Sequence, residues 1–133
     1  MNPIEVALAF IEAINSGNIA DLSRLMAPDH VLIDSDGSEI AGHEPTLAGW
    51  QKYLALVPDY RIEVTETFQQ GNTVVLIGTA AGTFSQDGTI DPQNSWKVPA
   101  AWRAITTGGC VAVWQLFFNP EPMRQIAKRL GRT

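Results

Sequence analysis

Near the start of the chain, Ile4, Ala7, Leu8, Ile11 and Ile14 recur at helical spacing and form a core-facing stripe, with Val6 and Phe10 on its flank. Asn2 as cap, Pro3 at the first helical position and Glu5 in the first turn predict a helix from Pro3 to Asn15. Ser16-Gly17-Asn18 ends it. A shorter helix follows from Ile19 to Met26, with Leu22, Leu25 and Met26 apolar, and Ala27-Pro28-Asp29 closes it. His30 to Asp34 then reads as a short strand running into a turn at Ser35 to Ser38. A third helix opens between Gly42 and Pro45 and carries Leu47, Trp50, Tyr53, Leu54 and Val57 along one side. Pro58-Asp59 stops it.

From Tyr60 onward the period changes. Ile62 and Val64 alternate with Arg61, Glu63 and Thr65, which predicts a half-exposed strand to Gln69. After the turn Gln70-Gly71-Asn72, the stretch Thr73 to Phe84 is almost continuously apolar, as a strand buried on both faces would be. Ser85 to Ser95 reads as a polar loop on its Asp87-Gly88 and Asp91-Pro92 turn signals. Trp96 to Thr106 and Cys110 to Asn119 form a hairpin through Thr107-Gly108-Gly109, and Pro120 to Leu130 can make a final helix. The expected architecture is α+β in a single domain, residues 1–133. A curved, cone-shaped antiparallel sheet carries the three helices of the N-terminal half on its concave face, and a short helix ends the chain.

Composition narrows the partners. Nine basic and fourteen acidic residues give a net charge of -5, which argues against nucleic acid. The one basic cluster, Arg124, Lys128, Arg129 and Arg132, reads as a solvated helix face that suits the helix dipole. No stretch reaches the ~18 apolar residues of a membrane span. Glu5 and Glu12 interrupt the apolar start, so it does not read as a signal peptide. The single Cys110 cannot form an internal disulfide, and the default expectation is a cytoplasmic protein.

The run Phe10-Ile-Glu-Ala-Ile-Asn-Ser-Gly-Asn-Ile through Asp34, with Gly37-Ser38-Glu39 and Gly42 after it, resembles the opening of the ketosteroid isomerases without a gap. Trp102-Arg103 through Gly109 to Phe118-Asn119 resembles their closing hairpin. The chain thus looks like a member of the ketosteroid isomerase and nuclear transport factor 2 superfamily, nearest its SnoaL-like, polyketide cyclase-like branch. That resemblance implies a dimer formed across the outer sheet face. It also implies a proton-shuttling base at the Asp34 position, which in the isomerases works with an oxyanion hole of Tyr and a protonated Asp. Here the tyrosine position is Phe10, and the partner acid falls at Ala101 or Ala100. Losing even one such donor typically costs ~3 kcal/mol of transition-state stabilisation, so a true ketosteroid isomerase is not expected. The cyclases often carry an acid just after the last strand, where this chain has Asn119-Pro120.

Asp34 is the candidate catalytic residue. If it faces a cavity, alternation puts Leu32 and His30 on its side and Val31 and Ile33 opposite. Walls of Phe10, Leu32, Trp50 and Trp102 would partly desolvate its carboxylate and favour a base. Alternatively, Asp34 caps its own turn through the N–H groups of Asp36 or Gly37, or lies exposed. Tyr53, His43 and Asn119 are candidate hydrogen-bonding groups, and Trp114 is a further candidate wall. Trp96 and one of Trp102 or Trp114 are expected on the outer face of the sheet, packed in the dimer. Asp34, Asp36 and Glu39 lack the ligand spacing of a calcium loop, and neither metal nor cofactor is expected. Two functions stay open. One is a cofactor-independent isomerase, cyclase or dehydratase acting on an apolar cyclic substrate. The other is a non-catalytic domain that binds a small apolar ligand or serves as a dimerisation scaffold.

Overall fold

In a computed structural model describing residues 1–132, six strands form one open, curved sheet, and four helices accompany it. The first helix, α1 (Pro3–Ser16), starts with a capping box between Asn2 and Glu5 and ends at Gly17, whose φ of 64° favours glycine. The second, α2 (Ile19–Leu25), is capped by the Asn18 side chain. Then come β1 (Met26–Ile33), β2 (Glu39–Ala41) and α3 (His43–Leu56). Four long strands follow: β3 (Arg61–Gln70), β4 (Thr73–Gln86), β5 (Thr89–Thr107) and β6 (Cys110–Phe118). The chain closes with α4 (Glu121–Arg129). Among the described residues no helix is long and apolar enough to cross a membrane.

The sheet order is β2-β1-β6-β5-β4-β3. The last four strands are an antiparallel meander, as expected, but β1 lies parallel to β6, so the sheet is mixed. The short β2 pairs antiparallel with the outer side of β1 and was not visible in the residue pattern. The first strand begins at Met26, earlier than His30, because pairing with β6 draws the Ala27-Pro28 segment into extended form.

The stripe on α1 is rotated from its expected centre. Leu8 is exposed, whereas Val6, Phe10 and Ala13 are buried with Ala7, Ile11 and Ile14. In β4 burial alternates rather than covering both faces. Val74, Leu76, Gly78 and Ala80 point inward, and Ile77 is exposed on the outer face. The predicted loop at 85–95 is instead the tip of a hairpin, in which β4 and β5 run on to a two-residue turn at Asp87-Gly88. Pro92 and Pro99 are tolerated because β6 pairs with β5 only from Ala100 onward, leaving one edge of this arm free. The C-terminal basic cluster is more than a solvated face. Arg129 donates to the Gln93 carbonyl and to Asn94 Oδ1, both at 2.9 Å, and Arg132 donates to the Ser85 carbonyl at 2.6 Å. Two of its four cations therefore clip α4 and the chain end onto the hairpin arm.

Candidate functional site: an aromatic cavity with one carboxylate at its mouth

Small residues on the inner sheet face open a space beneath α3. Ala80 and Ala100 line it, on neighbouring strands that bring Gly78 opposite Ala100 and Gly82 opposite Trp96. A side chain at Gly82 would meet Val57 and the Trp96 ring, so glycine there lets both pack inward. The resulting cavity is about 190 Å³ in volume and is walled mainly by apolar groups. From α3 come Trp50 and Tyr53, from the turn before β3 comes Tyr60, and from β5 come Trp96 and Trp102. Leu32, Leu116 and Phe118 complete the sheet side.

The rings lean on one another at steep angles. Tyr53 and Tyr60 meet at 88° with centroids 5.1 Å apart, and Trp50 meets Tyr53 at 85°. Tyr60 in turn approaches Trp96 at 6.0 Å. Burial pushes both phenols well above their ordinary pKa, and the negative charge of Asp34 adds to the shift in each. Both therefore stay protonated at neutral pH. The indole nitrogens of Trp50 and Trp96 are buried with no hydrogen-bond partner among the described residues.

Asp34 follows the last residue of β1, and alternation places it on the same side as Leu32 and His30. It lines the cavity and also the groove outside it, sharing both with Tyr53, Phe118 and Met123. Its carboxylate thus stands at the mouth, where it is exposed to solvent. The turn below it is well fastened. Asp34 N–H donates to the Ser38 carbonyl at 2.8 Å, and Gly37 N–H donates back to the Asp34 carbonyl at 2.9 Å. Asp34 Oδ1 also accepts from the Ser35 N–H at 2.6 Å, so its local bond comes from Ser35 and not from Asp36 or Gly37. Asp36 accepts from the Ser38 hydroxyl and N–H, which hold its carboxyl below the usual range.

Of the residues singled out in the sequence, Leu32, Asp34, Trp50, Tyr53 and Trp102 line the cavity. Phe10 and Trp114 do not; they are fully buried behind the wall, where Phe10 packs on Trp114 at 4.8 Å and on His30 at 5.8 Å. Trp114 stacks on the back of Trp102. His43 is also off the cavity, its Nε2 bonded to the Ser23 carbonyl at 2.7 Å. Asn119 turns away to accept the Glu121 N–H at 3.0 Å at the start of α4. No Trp reaches the outer sheet face: Trp96, Trp102 and Trp114 all point inward and are buried. Ala100 faces the cavity, while Ala101 lies on the opposite side between Ile77 and Phe117. The residue pattern gives Tyr60 no role and predicts Trp96 on the outer face, yet both line the cavity; each shares the parity of an inward neighbour, Ile62 for one and Trp102 for the other.

The model of a SnoaL-like domain matches residues 7–118. No protein of the curated set matches the chain. Among solved structures, a protein from Shewanella denitrificans described as a SnoaL-like polyketide cyclase superposes with a TM-score of 0.81 at 17% identity, covering 96% of this chain and 97% of that one. A protein of ketosteroid isomerase-like fold from Catenulispora acidiphila, solved in complex with trimethylamine, gives 0.78 at 19% identity over 96% and 95% of the chains. An epoxide hydrolase of M. tuberculosis, described as LEH-like, gives 0.78 at 17% identity over 96% and 90%. At these identities the likeness is one of fold.

Proposed function

As the chain belongs to the SnoaL-like domain family, we propose that it is a cofactor-independent pocket enzyme in which Asp34 moves a proton at a carbon of an apolar cyclic substrate. The observation that carries this reading is the position of Asp34. One carboxylate stands at the mouth of an aromatic cavity, next to a protonated phenol and on a turn fixed by two backbone hydrogen bonds. A ligand filling the mouth would displace water from that carboxylate and strengthen it as a base. Isomerisation, aldol cyclisation and dehydration all begin with such a proton transfer.

The test is exchange of the α-protons of a bound cyclic ketone in D₂O, followed by NMR. The native protein should accelerate exchange over buffer, and Asp34→Asn should lose about 100-fold or more of that acceleration. Equal rates for the two proteins would sink the assignment.

A second reading, a binding domain without chemistry, draws on the solvent exposure of Asp34 and its bond to Ser35. Aromatic walls and one anion also suit a methylated amine, the kind of molecule bound in the Catenulispora relative. Binding of trimethylamine with no exchange of any ketone would favour this second reading.

The same proposal includes a homodimer through the outer sheet face. There Ile77, Ala101 and Phe117 lie side by side in register, and Ile77 and Phe117 are 38% and 49% exposed. Phe117→Asp should shift the protein from dimer to monomer in sedimentation; a native protein that is already monomeric would end this part of the proposal. A reducing, cytoplasmic setting belongs to it too, since Cys110 is a lone free thiol.

A further inference from the structure

Two donors in the cavity wall have no acceptor. Trp50 and Trp96 line the space, are 4% and 6% exposed, and keep their Nε1–H groups buried without a partner among the described residues. Neither lines the outer groove. Both therefore belong to the inner part of the space, behind the mouth that Asp34, Tyr53, Phe118 and Met123 share with that groove. Buried N–H groups are ordinarily paired, because an unpaired one gives up its hydration with no return. His30 and Trp114 also hold an unpaired ring nitrogen, but both are sealed behind the wall. Of these four residues only Trp50 and Trp96 have a cavity beside the ring.

The surroundings say what could answer those donors. A buried water needs two or more polar partners, and the walls here are mainly apolar. An anion would enter beside Asp34 with no Lys, Arg or His among the lining residues to offset its desolvation. A methylated ammonium ion would answer Asp34 but brings the indoles no acceptor. An uncharged oxygen is left. The two donors also stand on opposite walls, Trp50 on α3 above the space and Trp96 on β5 beneath it, so each needs an acceptor on its own side. An apolar cavity of ~150 Å³ accommodates benzene, so one of about 190 Å³ suits a single substituted ring.

We infer that the inner cavity takes an uncharged ring with oxygen acceptors on two edges, one bonded by the Trp50 N–H on the helix side and the other by the Trp96 N–H on the sheet side. Ether, hydroxyl and carbonyl oxygens all qualify, and no bond is made or broken at this end of the ligand. The inference rests on the cavity being the ligand site proposed above, and not on Asp34 acting as a base. The indoles hold the part of the ligand remote from the mouth, and contacts of that kind decide which edge of the ring Asp34 meets.

The test uses three six-membered rings of similar shape: cyclohexane, tetrahydropyran and 1,4-dioxane, with no, one and two oxygens. Each is titrated into the full chain labelled with ¹⁵N-tryptophan, and the four indole N–H signals are followed by NMR. Dioxane should move the Trp50 and Trp96 protons downfield and leave Trp114 in place. Tetrahydropyran should move each of the two less, its one oxygen being shared between two orientations, and cyclohexane should move neither downfield. With 3-benzothienylalanine at position 50 or 96, a ring of the same shape with sulfur in place of the N–H, dioxane should bind up to about ten-fold more weakly and cyclohexane as before. The shifts are read on the native chain, so they decide the matter even where a replacement does not fold. Dioxane shifts no larger than those of cyclohexane overturn the inference, as does movement of only one of the two signals. Asp34→Asn separates the two ideas. Oxygen-dependent indole shifts that persist in it, with no ketone exchange in either protein, remove the base and keep the indole contacts. Asp34-dependent exchange without those shifts does the reverse.

Discussion

His30 donates its Nδ1–H to the Val111 carbonyl at 2.7 Å, across the parallel seam between β1 and β6. A carbonyl can only accept, so Nδ1 carries the proton and Nε2 is left as a bare lone pair. That nitrogen is buried with no partner among the described residues, beside the face of Phe10. Burial lowers the pKa of the ring, helped by nearby His43 and opposed by the Val111 bond and by Asp29.

Acid sensitivity follows from that shift. Below its ordinary value near 6.5 the unfolded chain binds a proton at His30 that the folded chain refuses. Stability should therefore be level above about pH 6.5 and fall as the pH drops below it, until the folded ring itself titrates. His30→Phe should cost about 1–3 kcal/mol, because the Val111 carbonyl loses its donor, yet flatten the slope between pH 6.5 and 5. Urea melts of both proteins across that range check it; parallel slopes would refute it.

An alkaline limit comes from the opposite sign. Tyr53 and Tyr60 keep their protons in the folded state at a pH where free phenols ionise, near 10. The folded chain then holds more protons than the unfolded one, so stability is unaffected below about pH 10 and declines above it. Tyr60→Phe should remove much of that decline, read as unfolding midpoints from pH 9 to 11. The tyrosine absorbance of the folded protein should also titrate late.

Much of this frame could be read from alternation alone. Ile62 and Val64 set the inward face of β3, and Tyr60 shares their parity; Trp96 and Trp102 are six residues apart and so belong to one face of an uninterrupted strand. The expectation that placed Trp96 outside did not apply this parity within the predicted strand Trp96 to Thr106, which already held both residues. What periodicity does not carry is pairing. Nothing in His30 to Asp34 says that β1 lies parallel to β6, a contact 81 residues away in sequence at the His30–Val111 bond. Nor does composition say that Phe10 and Trp114 pack behind the wall while Trp102 forms it, because all three are aromatic and buried. The position of Asp34 at a pocket mouth was legible through resemblance; the two unpaired indole nitrogens of the wall were not.

Filling the cavity should separate its roles in folding and binding. Ala100 lies on its floor, opposite Gly78 on β4 and Phe118 on β6. Ala100→Leu adds three carbons to a space that native packing leaves empty, so stability should hold or rise by about 1 kcal/mol. Binding of dioxane should be lost. A thermal melt and one titration decide it; retained binding would mean that the ligand sits in the outer groove beside Pro120 and Arg124.

The turn that presents Tyr60 is itself tied to the hairpin arm. Asp59 Oδ1 accepts the Thr83 N–H and Oδ2 accepts the Thr83 hydroxyl, both at 2.7 Å, and the same hydroxyl lies 2.8 Å from Ser95 Oγ. Thr83 is buried, so removing the carboxylate strands its N–H and leaves its hydroxyl only Ser95 Oγ as acceptor. Bonds to a charged acceptor contribute about 1.5–3 kcal/mol each, and Asp59→Ala should cost about 3 kcal/mol or more in urea unfolding. Thr83→Val deletes one donor and keeps the backbone bond, so about 1–2 kcal/mol is expected. The double variant should cost clearly less than the sum, because the hydroxyl bond can be lost only once. Dioxane affinity tells whether the clamp also positions the Tyr60 ring: it should weaken in Asp59→Ala and stay near native in Thr83→Val. Strict additivity in stability, with affinity unchanged in both, would show that the clamp neither couples these residues nor holds Tyr60 in place.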